Sequence, residues 1–459
     1  MLPTEAQRSS AHPQSPSPAR AAWAEENIND DTKKWLDEDA RYFFHQSLST
    51  PCLDVLARCE GIYIEALQGR RMMDFHGNSV HQVGFSNPKV IQAISEQLQS
   101  LSFSPRRFTN IPAIKLAKKL ADLTSGRLSK VLFAPGGTSA IGIAMKVARV
   151  ATGRFKTISM WDSYHGASLD AISIGGQSIY RQGIGPLLPG SEHVPPSNPS
   201  QCVWGCDGRC NLKCAQYVEY VLAKEGDIGA VIAEPVRSVP VVPPPDYWRI
   251  IREACDRHGA LLILDEIPHC LGRTGKMFAY QHYDVVPDML VLGKGLGGGV
   301  FPLAALLARE DLDVMPEGAL GHYTHEKNPV ACAAALAAIE YIEAEGLVEH
   351  SRDLGDYALS RMLEMQGRHK MIGGVRGIGL LLGMELIRDK GTTALAAEEA
   401  ESIMYRALSK GLNFTLSMGS IISLAPPLII SKDEMDQALS IIEECVAEAE
   451  TLGLGAEGA

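Results

Sequence analysis

The chain has 459 residues, of which 46% are hydrophobic and 21% are charged, and this composition argues against a largely disordered or a membrane protein. Its 54 acidic residues outnumber 43 lysines and arginines, and the formal net charge of −11 argues against binding to nucleic acid or to an anionic membrane surface. Because no run approaches 18 consecutive apolar residues, we expect no membrane-spanning segment.

The predicted elements begin after an N-terminal tail. Residues 1 to about 25 are rich in Pro and Ser and lack apolar periodicity, so we expect them to be flexible. From about residue 55, short apolar runs alternate with helical patterns, which predicts an α/β fold with a mostly parallel sheet sandwiched between helices. The predicted strands are 131–135, 157–161, 230–234, 260–265, 289–293 and 303–308, and the predicted helices include 139–151, 216–224 and 247–258.

The pattern changes after an Ala-rich helix that is predicted to run from Pro329 to about Glu345. Beyond it the predicted helices are more polar and the strands are isolated, which indicates a smaller C-terminal α+β domain. We therefore expect a large domain at 81–340 and a small domain at 341–459, to which the N-terminal segment 26–80 contributes.

Small and aromatic residues follow the first two predicted strands, and ligands of parallel sheets bind at such carboxyl ends. Gly136-Gly137-Thr138 opens a helix, where free backbone N–H groups and the helix dipole can hold a phosphate. The alternative for this motif is a tight turn without a ligand. After the second strand, Tyr164 has a ring that either stacks on a flat cofactor or packs in the protein.

Two further strand ends carry charged groups. The fourth predicted strand ends in Asp265-Glu266, where a buried carboxylate needs a partner such as a protonated ring nitrogen or an arginine. Lys294 follows the fifth strand and enters a glycine run, where a lysine readily loses its proton and forms an imine with an aldehyde. The glycines at 293–298 also match the G-x-G-x-x-G fingerprint of a nicotinamide site, although a strand rather than a helix follows them.

Taken together, these motifs resemble the class III aminotransferases, a family of fold type I enzymes that depend on pyridoxal 5'-phosphate (PLP). The resemblance implies the PLP-dependent transferase fold and a homodimer with shared active sites. It runs from about residue 45 to the C-terminus and rests on LLILDEIPHCLGRTG at 261–275, MLVLGKGLGGG at 289–299, HYTHEKNPVACA at 322–333, VRGIGLLLGME at 375–385 and SLAPPLI at 423–429.

The resemblance also implies a role for individual residues. Lys294 would bind the cofactor as a Schiff base and act as the catalytic base, Asp265 would keep the pyridine nitrogen protonated, and Tyr164 would stack on the ring. The other implied cofactor contacts within one subunit are Gly136, Gly137, Thr138, His165, Glu234 and Ile267. Thr324 of the partner subunit would add a further contact to the phosphate.

Departures from the usual family pattern point to an anionic substrate. Ser423 stands where many members have an arginine that binds an α-carboxylate, which argues against an ordinary α-amino acid. Arg237 replaces a glutamine near the expected cofactor, and Arg106 and Arg107 lie in a segment that lines the substrate entrance in this family. Guanidinium groups bind phosphate-like dianions with two hydrogen bonds, so we expect an amine with an anionic head. The alternative for each arginine is a solvated charge or an ion pair.

The whole chain looks like a branch of this family that contains 1-hydroxy-2-aminoethylphosphonate ammonia-lyases. This implies a lyase of phosphonate catabolism that releases ammonia and phosphonoacetaldehyde, with Lys294 removing the proton from the carbon that bears nitrogen. One alternative is a class III aminotransferase that moves the amino group of an omega-amine or an aminophosphonate to a keto acid. A more remote alternative is a PLP-binding protein without activity, against which the intact Lys294 and Asp265 argue.

The cysteines allow several interpretations. Cys202, Cys206, Cys210 and Cys214 are spaced C-x3-C-x3-C-x3-C, which suits zinc, one disulfide or unligated thiols. A continuous helix would spread the four sulfurs over about 18 Å, too far for one ion, but Gly205 and Gly208 permit a compact loop, so all three interpretations stay open and no residue is assigned as a metal ligand. Ten cysteines are too few for a secreted disulfide framework and the first thirty residues lack a hydrophobic leader, so we expect a cytoplasmic protein.

Overall fold

The computed structural model describes residues 16–46, 49–198, 202–206, 210–388 and 394–452. Its helices are α1 (Pro18–Asn27), α2 (Asp30–Tyr42), α3 (Pro88–Ser100), α4 (Ile111–Leu123), α5 (Gly137–Thr152), α6 (Leu169–Ile174), α7 (Lys213–Glu225), α8 (Tyr247–His258), α9 (Pro329–Ala344), α10 (Leu347–Arg368), α11 (Ala397–Ser409) and α12 (Lys432–Thr451). Its strands are β1 (Leu56–Glu60), β2 (Tyr63–Ala66), β3 (Arg71–Asp74), β4 (Lys130–Ala134), β5 (Lys156–Met160), β6 (Ser191–Val194), β7 (Ile228–Ala233), β8 (Leu261–Asp265), β9 (Met289–Leu292), β10 (Ala304–Ala308), β11 (Ile372–Ile378), β12 (Leu381–Leu386), β13 (Leu412–Asn413), β14 (Thr415–Ser417) and β15 (Ile421–Leu424).

The largest sheet has seven strands in the order β4-β10-β9-β8-β7-β5-β6. Strands β5 to β9 run parallel, whereas β10 is antiparallel to its neighbours β4 and β9. All residues of β7, β9 and β10 are buried, because helices such as α5 pack across the sheet. The α/β fold with a mostly parallel sheet is therefore confirmed.

Each of the six predicted strands is present within one or two residues of its predicted bounds. The sequence did not predict β6, a short edge strand of mixed polarity (Ser-Glu-His-Val) that pairs in parallel with β5. Edge strands lack the continuous apolar pattern of central strands, so their sequence signal is weak.

Two smaller four-stranded sheets complete the fold. One has the order β1-β2-β3-β13, and its parallel β3–β13 pair joins residues near the N-terminus to the C-terminal part of the chain. The other is antiparallel, in the order β11-β12-β15-β14. Among the residues described, none of the helices combines the length and apolar character that crossing a bilayer requires.

The N-terminal region differs from the expected flexible tail. Residues 1–15 lie outside the described residues, but helix α1 already starts at Pro18, in the favoured first position, and the side chain of Ser17 accepts a hydrogen bond from Arg20 N. Trp23 is only 4% exposed and its ring centroid lies 6.0 Å from that of Tyr405. Because this anchoring is a tertiary contact of one tryptophan, composition alone did not reveal it.

Candidate active site

Three strand ends meet around the side chain of Ile267, which follows β8. A Cβ atom added to Gly137 would lie 2.6 Å from Ile267 Cδ1, and one added to Gly293 would lie 3.2 Å from Ile267 Cγ2. Gly137 opens α5 after β4, and Gly293 directly precedes Lys294 after β9. The glycines thus allow Ile267 to sit between the start of α5 and the lysine.

The start of α5, beside Ile267, has backbone N–H groups without helical partners. Its N-cap residue is Gly136, which has no side chain to cap the helix, and the first helical hydrogen bond runs from Ala140 N to Gly136 O at 3.1 Å. The N–H groups of Gly137, Thr138 and Ser139 therefore lack a carbonyl partner within the helix. A Cβ added to Gly136 would meet nothing within 4 Å, so an anion has room to approach these donors.

The segment after β5 packs on the same helix start. Ala167 N donates a hydrogen bond to Thr138 Oγ1 at 3.1 Å, and any side chain at Gly166, where φ is +133°, would collide with Thr138. Tyr164 is 39% exposed, and its ring centroid lies 4.4 Å from that of Tyr180. Burial of Tyr164 raises its pKa, so its hydroxyl stays protonated.

Asp265 is 1% exposed at the end of β8, and both of its carboxylate oxygens have partners. Oδ1 accepts a hydrogen bond from Ile267 N at 3.1 Å, and Oδ2 lies 2.7 Å from Nδ1 of the buried His165. The two contacts hold the carboxylate in one orientation. A carboxylate held in this way suits the role of partner to a protonated ring nitrogen.

Lys294 begins a 3-10 turn, Lys294–Gly297, and adopts the left-handed backbone conformation with φ of 46°. This conformation is uncommon for a residue with a side chain and is typical of positions held for function. The side chain keeps some accessible surface, but surrounding protein removes most of its water. This desolvation lowers the pKa of Lys294, while the nearby carboxylates of Glu234 and Asp265 oppose the shift.

Glu234 and Arg237 follow β7 at the same edge of the sheet. Glu234 Oε2 accepts hydrogen bonds from Ser238 N at 2.9 Å and Ser238 Oγ at 3.1 Å. Arg237 is only 8% exposed and donates from Nη2 to Asp162 O at 2.9 Å. Its Nη1 is buried without a hydrogen-bond partner among the described residues.

The remaining predicted residues, Arg106, Arg107 and Thr324, are exposed. Arg106 forms an ion pair with Glu326, with Nε and Oε1 3.3 Å apart, and Arg107 is exposed beside it. Thr324 is exposed two residues before Glu326. The two segments also touch through Asn110 Nδ2, which donates to Lys327 O at 2.9 Å.

Sequence reasoning missed a group of buried polar residues on the inner side of Lys294. We call His81, Gln82, His269 and Arg273 the inner polar cluster; each is at most 1% exposed. Seven of their nitrogen and oxygen atoms have no hydrogen-bond partner among the described residues. The signal in the sequence was present as polar residues inside apolar segments, but residues 81 and 269 are too distant in the chain to be associated by inspection.

The four regularly spaced cysteines do not contribute to this edge of the sheet. Cys202, Cys206 and Cys210 are partly exposed, Cys214 is buried at the start of α7, and all four are free thiols. Within the part of the chain that the structure describes, which omits residues 207–209, no group of three or more ligating side chains is arranged to hold a metal ion.

The residues at the carboxyl edge of the sheet fit PLP. The open N-terminus of α5 suits its phosphate, Asp265 suits its ring nitrogen, and the desolvated amine of Lys294 suits its aldehyde. This combination on an α/β sheet defines a PLP-dependent enzyme of fold type I.

Comparison with known proteins supports the same class of enzyme. The chain belongs to the class III aminotransferase family, whose model, described as aminotransferase class-III, matches residues 45–446. It is 47% identical to an (R)-1-hydroxy-2-aminoethylphosphonate ammonia-lyase from Vibrio splendidus over 94% of this chain and 93% of that protein. It is 34% identical to a leucine/methionine racemase from Thermococcus litoralis over 92% and 97% of the two chains.

Among solved structures, an amine transaminase from an uncultivated Pseudomonas species in its PLP-bound form superposes with a TM-score of 0.84 and 32% identity, covering 89% of this chain and 99% of that one. The predicted family, fold type, dependence on PLP and enzymatic character are thus confirmed.

Proposed function

We propose that this chain is an ammonia-lyase that converts 1-hydroxy-2-aminoethylphosphonate into phosphonoacetaldehyde and ammonia. The observation that carries the proposal is the similarity, over nearly the full length of both chains, to the ammonia-lyase from Vibrio splendidus. The cluster of Lys294, Asp265 and the open helix start supports it, because this reaction needs a base, a ring partner and a phosphate site.

Arg237 is the best-placed candidate to bind the phosphonate. Its guanidinium group is buried, is held at one end by Asp162 O and leaves Nη1 free to donate. A buried donor of this kind gains strongly from an anionic partner, because water does not compete. Arg106 and Arg107 are further candidates, although Arg106 must first leave Glu326. Ser423 donates to Ser417 Oγ at 2.8 Å and supplies no cation for an α-carboxylate.

The catalytic roles follow from the positions of these side chains. When bound, PLP supplies an aldehyde that condenses with amines and a ring that withdraws electrons. Lys294, as the neutral amine that desolvation favours, takes the proton from the substrate carbon next to nitrogen. Asp265 keeps a proton at the ring nitrogen, and the first-turn N–H groups of α5 orient the phosphate. The hydroxyl group then leaves from the neighbouring substrate carbon and forms water with the proton that Lys294 has taken.

The active form is a homodimer in the cytoplasm. In this arrangement the exposed segment with Thr324 and Arg106 of one subunit completes the site of the other. What supports the dimer is that Thr324 and Arg106 are exposed in the single subunit, as residues that complete a partner's site would be.

The direct test is to incubate the holoenzyme with 1-hydroxy-2-aminoethylphosphonate and no keto acid, and to measure ammonia and phosphonoacetaldehyde. We expect many equivalents of ammonia per active site, and no stimulation by an added keto acid. A reaction that stops after one equivalent, with the amino group retained on the cofactor, contradicts the lyase.

That second outcome corresponds to the alternative function, a class III aminotransferase. A specific observation favours it as the second candidate, because the solved structure described above is an amine transaminase at 32% identity. Such an enzyme needs an acceptor, so product formation from the same amine would then require a keto acid.

A further inference from the structure

The ring of Tyr164 is in contact with a second tyrosine. The ring centroids of Tyr164 and Tyr180 are 4.4 Å apart, and the two ring planes are inclined by 43°. Tyr164 nevertheless remains 39% exposed, whereas the next residue, His165, is 2% exposed and lies 2.7 Å from Asp265 Oδ2. Tyr164 therefore keeps part of its surface free beside the carboxylate that suits the ring nitrogen of PLP.

The turn that carries Tyr180 is anchored on the residue that precedes Tyr164. Two successive backbone N–H groups donate to Ser163 O, that of Gly176 at 2.9 Å and that of Gln177 at 3.1 Å. Tyr180 N then donates to Gln177 O at 3.3 Å. The backbone on both sides of the two rings is thus joined by hydrogen bonds, so the contact between the rings does not depend on the rings alone.

The residue after Tyr180 contacts the other aromatic side chain of the same segment. Arg181 Cζ lies 5.4 Å from the ring centroid of Trp161. The ring of His193 stacks on Trp161, with centroids 4.5 Å apart and planes inclined by 26°. Cation–π and stacked-ring contacts of this kind favour one arrangement of the rings. Tyr180 and Arg181 therefore contact both ends of the segment 161–164.

We propose that Tyr180 is a positioning residue, which holds the ring of Tyr164 in the orientation that stacks on the PLP ring. A half-exposed tyrosine otherwise moves among several rotamers, and a ligand that stacks on it must fix one of them at a cost in entropy. The contact with Tyr180 restricts the ring of Tyr164 before the cofactor arrives, so less entropy is lost on binding. The affinity for PLP should therefore depend on a residue that acts through Tyr164.

The proposal rests on the predicted stacking of Tyr164 on the cofactor and not on the reaction that follows. PLP binding and ammonia release are separate measurements, so the failure of this proposal and the failure of the lyase function are distinguishable. A role of Tyr180 in the fold alone makes a different prediction. Its loss would then lower the unfolding temperature of the protein and leave the bound cofactor as it was.

The experiment removes the ring of Tyr180 and measures how PLP is bound. Tyr180→Leu keeps an apolar side chain but loses the aromatic contact. We expect the dissociation constant of PLP, titrated by the absorbance of the bound cofactor, to rise about three- to tenfold, as for the loss of one aromatic pair. At saturating PLP, the visible circular dichroism of the bound cofactor should fall to less than half, because this signal depends on how the cofactor ring is oriented against its neighbours.

Two variants serve as controls. Tyr180→Phe keeps the aromatic ring and should restore both values to within twofold of the unchanged enzyme. Tyr220→Leu is the matched control, because Tyr220 lies on α7, is 55% exposed and stacks on Tyr217 with centroids 5.6 Å apart. It should leave both values unchanged.

A crystal structure of the unchanged holoenzyme provides a second test that does not depend on any variant. It should show the ring of Tyr164 in contact with both the PLP ring and Tyr180. The proposal is overturned if Tyr180→Leu binds PLP within twofold of the unchanged enzyme and with the same circular dichroism, if Tyr180→Phe is impaired as strongly as Tyr180→Leu, or if the crystal structure shows the two tyrosine rings out of contact.

Discussion

The two sides of Lys294 are built in opposite ways. On the cofactor side, both oxygens of Asp265 have partners and Glu234 is held by Ser238, so these groups are fixed before any ligand arrives. On the inner side, His269 and its neighbours have polar atoms that none of the described residues satisfies. The comparison teaches that Asp265 and Glu234 are held in fixed positions, whereas the inner polar cluster keeps hydrogen-bonding groups that the described residues do not satisfy.

The largest effect should come from removing the lysine shared by the two sides. Lys294→Ala deletes the proposed base, so we expect ammonia release to fall by at least about 10³-fold. The cofactor should still bind through the α5 N-terminus and Asp265, which a cofactor-to-protein ratio will show. Activity within tenfold of the unchanged enzyme would disprove the role of this residue.

Asp265→Asn tests the cofactor side of Lys294 alone. The amide keeps the volume and can still accept a hydrogen bond from Ile267 N, but it loses the negative charge that we propose stabilises a protonated ring nitrogen. We expect kcat to fall by about 10²- to 10³-fold with little change in the folded structure, as checked by circular dichroism. Asp246→Asn, at an exposed carboxylate that pairs with Arg249, is the control and should leave kcat unchanged.

Arg237→Gln tests whether Arg237 binds the phosphonate group of the substrate. Loss of the buried guanidinium should raise KM for the aminophosphonate by about 10- to 100-fold, with kcat changed much less. Arg237→Lys should recover part of this loss, because it restores the charge without the planar donors. An equal effect of Arg249→Gln, a substitution of an exposed helix arginine, would show that the change is not specific.

The buried histidines of the inner polar cluster should change how the free energy of unfolding depends on pH. His81 and His269 have pKa values lowered to about 4 and about 3, so they stay neutral in the folded protein while the unfolded chain takes up protons below about pH 6.5. Stability should therefore be lost as the pH falls from 6.5 towards 4, with about 1.4 kcal/mol per pH unit for each histidine.

Urea unfolding at several pH values measures this slope. His269→Leu should reduce it by the contribution of one proton. A slope that is identical in the two proteins would mean that His269 is protonated in the folded state.

The sequence predicted the central sheet well because buried parallel strands are continuous apolar runs, such as β7 and β9. It also indicated Lys294 and Asp265, since a charged residue directly after such a run is conspicuous. It did not indicate the inner polar cluster, because His81 and His269 come from segments that only the tertiary fold brings together. It also missed helix α1, whose stability depends on the packing of Trp23 against Tyr405.

The most direct test of the central claim is to reduce the holoenzyme with borohydride and to map the modified peptide by mass spectrometry. Reduction makes the bond between the cofactor and its lysine permanent. The structure predicts the added pyridoxyl phosphate mass on Lys294 alone. The same mass on any other lysine, or on none, would contradict the assignment of this edge of the sheet as the active site.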